Sequence, residues 1–126
     1  MRRSAWLQPL SREHHHALSL AKQCTRAAAS GDAVQIAAAC QAALQGYAAQ
    51  LMPHFQVEER ELLPLLGPAQ QALVQRTLTE HARLRELCGG LQRQDVAALA
   101  AFGSSLAEHV RFEETALFPV LEAIGP

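Results

Sequence analysis

The sequence predicts an all-α domain, an up-down-up-down four-helix bundle, and three observations carry that prediction. The chain is rich in alanine and leucine and poor in β-branched residues, which favours helix over strand. Four segments place apolar residues at helical spacing, and the breaks between them are short enough to join antiparallel neighbours. One histidine–glutamate pattern also occurs twice, as His54-Phe55-Gln56-Val57-Glu58-Glu59 and as His109-Val110-Arg111-Phe112-Glu113-Glu114. Around it, Leu44, Tyr47, Leu51 and Leu62 answer to Leu99, Phe102, Leu106 and Leu117. Two helices therefore share one design.

Pro9 to Ser11 supplies the start of the first helix, which carries Leu10, Ala17, Leu18, Ala21 and Ala28 on its apolar side and stops at Ser30-Gly31. At about 100 degrees per residue, His14 falls within roughly 30 degrees of that stripe, whereas His15 and His16 fall about 130 degrees away on either side. Asp32 caps a second helix that runs to about Pro64, with Leu44, Tyr47, Leu51, His54, Glu58 and Leu62 facing inward. Glu59 lies well off this face and Glu61 at its margin. Pro53 is expected to kink the helix just before His54. Gly67-Pro68 separates the second helix from a third, which carries Leu73, Thr77, His81, Leu84 and Cys88 and is expected to stop at Gly89-Gly90. Asp95 caps a fourth, with Leu99, Phe102, Leu106, His109, Glu113 and Leu117 inward as far as Pro119. Glu13-His14 and Glu80-His81 form a weaker echo on the odd helices.

Composition excludes several classes of function. At 126 residues the chain has one domain's length, 1–126, and its formal charge of −1 is scattered, so no basic face for nucleic acid or an anionic membrane is expected. No apolar run reaches the length of a membrane span, and Arg2-Arg3 is not followed by the apolar segment of a signal peptide, so a cytosolic protein is expected. Cys24, Cys40 and Cys88 are odd in number and far apart, which suits small core residues rather than a disulfide framework or thiolate site.

The chemistry lies in the inward polar residues. In an alternating bundle the starts of the odd helices and the ends of the even ones share one end of the molecule. Each helix thus brings one inward histidine to a common layer, His14, His54, His81 and His109, and the even helices add Glu58 and Glu113 one turn later. Two carboxylates buried without countercharge are strongly unfavourable, and no lysine or arginine occupies a matching inner position. A lone inward histidine usually packs and hydrogen-bonds, and a lone His-x-x-x-Glu pair is usually a surface ion pair; it is the duplication that points to metal. Four imidazoles and two carboxylates match a two-metal site in which each ion takes two histidines and the glutamates bridge. Nitrogen and oxygen donors suit iron, manganese or zinc, and six protein ligands leave positions open for water, hydroxide or a small diatomic molecule. Glu59 and Glu114 read as solvated, with a terminal-ligand role as the alternative, and Glu13 and Glu80 as supporting or surface groups. Tyr47 and Phe102 read as core, Tyr47 alone having a hydroxyl to offer a bound ligand.

Taken together, Glu13-His14, His54-Phe55-x-x-Glu58-Glu59 with Leu62-Leu63-Pro64, Glu80-His81, and His109-x-x-x-Glu113-Glu114 with Leu117-Phe118-Pro119 resemble the hemerythrin-like (HHE cation-binding) family over nearly the whole chain. The resemblance implies a four-helix bundle holding a non-haem di-iron centre, with His14, His54, His81 and His109 as terminal ligands and Glu58 and Glu113 as bridges. The oxygen-carrying members have a His-x-x-x-His pair on the third helix and an aspartate bridge, whereas here Thr77 and Arg85 flank His81 and the second bridge is Glu113. The chain is more similar to the bacterial single-domain members, for which sensing of oxygen, nitric oxide or iron and handling of reactive species are the usual proposals. The expected function is binding of O2, NO or peroxide at two iron ions as a sensor or scavenger. The alternatives are a di-iron enzyme acting on peroxide or nitrogen oxides, for which no further acid, base or substrate pocket is legible, and a bundle with a structural metal such as zinc.

Overall fold

The computed structural model describes residues 3–125 and is built of helical rods, with no strand among those residues. The first rod is α1 (Gln8–Ser30), which has Pro9 in its first turn and ends where Gly31 adopts a left-handed conformation at φ 69°. The second begins as α2 (Ala33–Gly46), whose cap Asp32 accepts from the amides of Val34 at 2.9 Å and Gln35 at 3.4 Å. It continues through a π-helical turn (Tyr47–Leu51), α3 (Met52–Val57), a second π turn (Glu58–Leu62) and a 3-10 turn (Leu63–Leu65). A 3-10 turn (Pro68–Gln70) opens the third rod, α4 (Gln71–Gln92). The fourth comprises α5 (Val96–Phe112), capped by Asp95, a third π turn (Glu113–Leu117) and α6 (Phe118–Ile124).

The π turns explain how three prolines sit within or beside these rods. Proline has no amide proton for the carbonyl four residues back, and its ring crowds that carbonyl. Here the residue before each proline donates instead to the carbonyl five back: Met52 to Tyr47, Leu63 to Glu58 and Phe118 to Glu113. The backbone therefore widens rather than breaks. Pro53 is absorbed in this way, and Pro119, expected to end the fourth helix, is followed by helix to Ile124.

Gly89-Gly90 does not end the third helix either, which runs to Gln92. A Cβ on Gly90 would lie 2.4 Å from that of Ala98, so this glycine permits close packing, and the reversal is made at Gln94, with φ 58°.

The rods pack as a square in which α1 meets α2 and α5, and α4 meets α2 and α5. Leu99, Phe102, Leu106 and Leu117 are completely buried, as their spacing predicts, and Cys24 and Cys40 are core residues with Cys88 partly buried. Leu18 is the exception at 40% exposed. The stripe of α1 is centred on Ala17, Ala21 and Cys24, which leaves Leu18 about a quarter-turn to one side. Two apolar clusters form, one containing Leu51 and Leu106 and the other containing Leu62 and Leu117. Along the second and fourth rods the histidine–glutamate pairs lie between them. No helix among the described residues is long and apolar enough to cross a membrane.

Candidate metal centre

His14, His54, His81, His109, Glu58 and Glu113 are all buried, the two glutamates completely. His15 and His16 are exposed, as the helical geometry of α1 requires. The six buried groups form two sets, His14 with His54 and His81 with His109, each completed by both glutamates, and the potential ligand atoms within each set lie within 4.8 Å of one another. Each carboxylate divides its oxygens between the sets. Glu113 Oε1 lies 2.8 Å from His14 Nε2 and 3.6 Å from His54 Nε2, while its Oε2 lies 3.1 Å from His109 Nε2 and 3.9 Å from His81 Nε2. Glu58 Oε2 is 2.9 Å from His54 Nε2, and its Oε1 is 3.0 Å from His81 Nε2. Two sites that share two carboxylates emerge from the backbone and rotamers alone.

The outer nitrogen of every ring is engaged as well. His54 Nδ1 bonds Glu13 at 2.6 Å, His81 Nδ1 bonds Glu59 at 2.7 Å, His109 Nδ1 bonds Glu80 at 2.7 Å and His14 Nδ1 bonds Glu114 at 2.5 Å. Read around the square, the first rod supports the second, the second the third, the third the fourth, and the fourth the first. An ionised carboxylate can only accept, so it holds the ring proton on Nδ1 and turns the Nε2 lone pair inward. Glu59, read from the sequence as solvated, is 41% exposed and Glu114, read likewise, is 28% exposed, but each also bonds a histidine on a neighbouring rod, a contact the spacing did not reveal. A helical wheel records the direction into the core and misses this sideways reach. The signal lay in the doubled pairs Glu58-Glu59 and Glu113-Glu114 and in Glu13-His14 and Glu80-His81, whose adjacent residues serve the inner and outer positions of different rods.

Aromatic rings fix the imidazoles further. Phe55 stacks on His81 with centroids 4.0 Å apart, and Phe118 stacks on His14 at 5.3 Å. Phe102 is core as expected, and Tyr47 is partly buried edge-on to Phe55. Thr77, one turn before His81 on α4, is buried with its hydroxyl donating to the Leu73 carbonyl at 2.8 Å, so it has no proton to give the centre.

The inner atoms call for a cation. His54 Nε2, Glu58 Oε2, His109 Nε2 and Glu113 Oε2 are buried without a hydrogen-bond partner, although oxygen and nitrogen face each other at 2.9–3.1 Å. Lone pair against lone pair at such distances is repulsive unless a proton or metal ion lies between. The acid–base balance expresses the same field. Burial pulls the His54 imidazole down, but Glu113 and Glu58 push it up to about 11. Against the same burial, Glu113 and Glu58 raise His81 to about 9, and Glu113 and Glu80 raise His109 to about 10. Burial and the neighbouring Glu113 raise Glu58, whereas Glu113 is held well below the usual carboxylate range despite its burial, chiefly by His109.

A cavity of about 310 Å³ reaches one side of the layer. It touches His14, His54, His109 and Glu113, and its outer part is formed by exposed Ala49, Gln50 and Pro53 of the π-turn region. His81 and Glu58 lie outside its lining.

Residues 7–121 match the family model described as the hemerythrin HHE cation binding domain. The chain belongs to that family. Comparison with curated proteins and with solved structures yields no significant match to either. As a hemerythrin HHE domain, the chain is a cation-binding helical protein whose buried histidine–glutamate sets could hold metal. Its donor set fits such ions chemically, being neutral imidazole nitrogen and carboxylate oxygen with no thiolate among them.

Proposed function

We propose that this hemerythrin-like chain, a single domain over 1–126, is a non-haem di-iron protein that binds O2, NO or peroxide as a sensor or scavenger. In this reading His14 and His54 hold one ion, His81 and His109 hold the other, and Glu58 and Glu113 bridge them. Iron would supply redox-active coordination positions for the small ligand; manganese and zinc suit the same donors. The observation that carries the reading is the pair of shared carboxylates, each offering one oxygen to either histidine pair, with His54 Nε2, Glu58 Oε2, His109 Nε2 and Glu113 Oε2 buried without a hydrogen-bond partner.

The chain's own residues do the rest. The ring of carboxylates orients four imidazoles in advance, so the site need not reorganise when it fills. Phe55 and Phe118 cover His81 and His14 and keep bulk water from them. The cavity behind Ala49 and Gln50 admits a small molecule to the side bearing His14, His54 and His109, and its walls include the apolar Leu51, Leu106 and Val110. Such walls favour a small neutral guest over a hydrated anion.

Protein purified without added metal is expected to carry two iron ions per chain, with an absorption spectrum that changes between air and reductant. His54→Ala and Glu113→Ala should lose most of that metal. A protein that takes up no metal, or variants with undiminished content, would overturn the reading. Steady-state assays with peroxide separate a binder, which shows no multiple turnover, from an enzyme. A spectrum indifferent to reductant in metal-loaded protein would favour a structural zinc.

A further inference from the structure

The four carboxylates that support the histidines are not equivalent. Glu114 gives Oε2 to His14 and to the Ser11 hydroxyl, and Oε1 to the Arg3 guanidinium at 3.2 Å. Arg3 also donates to the Glu114 carbonyl at 2.7 Å and to Glu122 at 2.5 Å, and the adjacent Ser4 amide donates to Glu122 at 2.6 Å. Glu80 is divided in the same way, Oε1 going to His109 and Oε2 to Arg76 at 2.8 Å, with the Arg76 guanidinium lying 4.2 Å over the Phe112 ring. Among the described residues Glu13 and Glu59 have no such arginine partner, and they are 56% and 41% exposed. Each histidine pair thus has one ring whose carboxylate is clamped by arginine and one whose carboxylate stands open to water.

We propose that Arg3 and Arg76 are positioning residues of the metal centre, one for each ion, Arg3 acting through Glu114 on His14 and Arg76 through Glu80 on His109. The inference rests on the reading of the two histidine pairs as metal sites. A glutamate side chain bonded only to an imidazole can rotate toward solvent and release the ring; a guanidinium on its second oxygen fixes the carboxylate plane and with it the direction of Nε2. Loss of the groups behind a ligating histidine lowers metal affinity by about 10- to 100-fold, and a residue one bond further out belongs at the lower end. Because Arg3 comes from the amino-terminal segment and Arg76 from α4, the two clamps can be removed independently.

The test is a titration of chelator-stripped full-length protein with zinc(II) against a chromophoric competitor, which yields two stepwise dissociation constants. Arg3→Ala and Arg76→Ala should each weaken one step about tenfold, the double variant should weaken both, and Arg26→Ala, at an exposed position, should weaken neither. Arg3→Ala should add nothing in a Glu114→Gln background, whereas Arg76→Ala should retain its full effect there. Arg3→Lys and Arg76→Lys, which keep the charge but not the fork, should fall between and serve if an alanine variant folds poorly. Variants within twofold of the unmodified protein, an Arg3 effect that persists undiminished without Glu114, or an equal weakening of both steps accompanied by lost helical signal would each overturn the proposal. Normal zinc uptake with unmoved variants would leave the di-metal reading standing; no uptake by the unmodified protein would remove both.

Discussion

At the scale of the residue, the histidines behave as they do because each has a carboxylate at both nitrogens. One at Nδ1 orients the ring and one near Nε2 creates the charge that a cation balances. The consequence is a defined pH dependence. His54, His81 and His109 are raised to about 11, 9 and 10, so in metal-free protein they hold protons at neutral pH, and a metal ion must displace them. Metal loading in weakly buffered solution near pH 7 should therefore release protons, read with an indicator dye, and metal affinity should rise with pH. For the metal-free fold the sign is opposite. A group that binds its proton more tightly folded than unfolded stabilises the fold fully below its unfolded value near 6.5, and that contribution disappears as pH rises through the folded value. Melting temperatures of chelator-stripped protein should accordingly fall between about pH 7 and 11, across the range set by these three groups.

At the scale of the element, the π turns and the close-packed glycines matter most. A Cβ on Gly103 would lie 2.7 Å from Thr25 Cγ2 and 2.8 Å from the Ala21 carbonyl, so α1 and α5 can meet only because position 103 has no side chain. In an isolated helix Gly→Ala gains about 1 kcal/mol, but here overpacking outweighs the gain. Gly103→Ala should destabilise the bundle by about 1–3 kcal/mol in a denaturant titration. The π turn Tyr47–Leu51 has a different role, since Ala49 and Gln50 within it form the outer part of the cavity. Ala49→Trp should slow binding of nitric oxide to the reduced, metal-loaded protein in stopped flow, because the bulky ring would fill the outer part of the cavity, and leave metal content unchanged. Apolar spacing alone could place Leu51, His54 and Glu58 on one face, but not show that the backbone widens beside them.

At the scale of the whole molecule, four rods with little covalent constraint are drawn together around a layer of like-charged carboxylates, so folding and cation binding are coupled. Chelation should lower the melting temperature strongly: a ligand at a thousandfold excess over its dissociation constant adds about 4 kcal/mol. In a chain of this size that is a shift of about 15 °C or more, measurable by calorimetry. The up-down-up-down bundle, its caps at Asp32 and Asp95, the inward residues of the fourth rod and the six candidate ligands were all legible in the sequence. Helical periodicity, capping chemistry and the cost of a buried charge are local properties that a residue carries with it. Which histidine each of Glu13, Glu59, Glu80 and Glu114 supports, the arginine clamps and the continuation of helix past Pro119 were decided only in three dimensions. These depend on which rod lies beside which and on how far a side chain reaches across the gap, and spacing within one helix records neither.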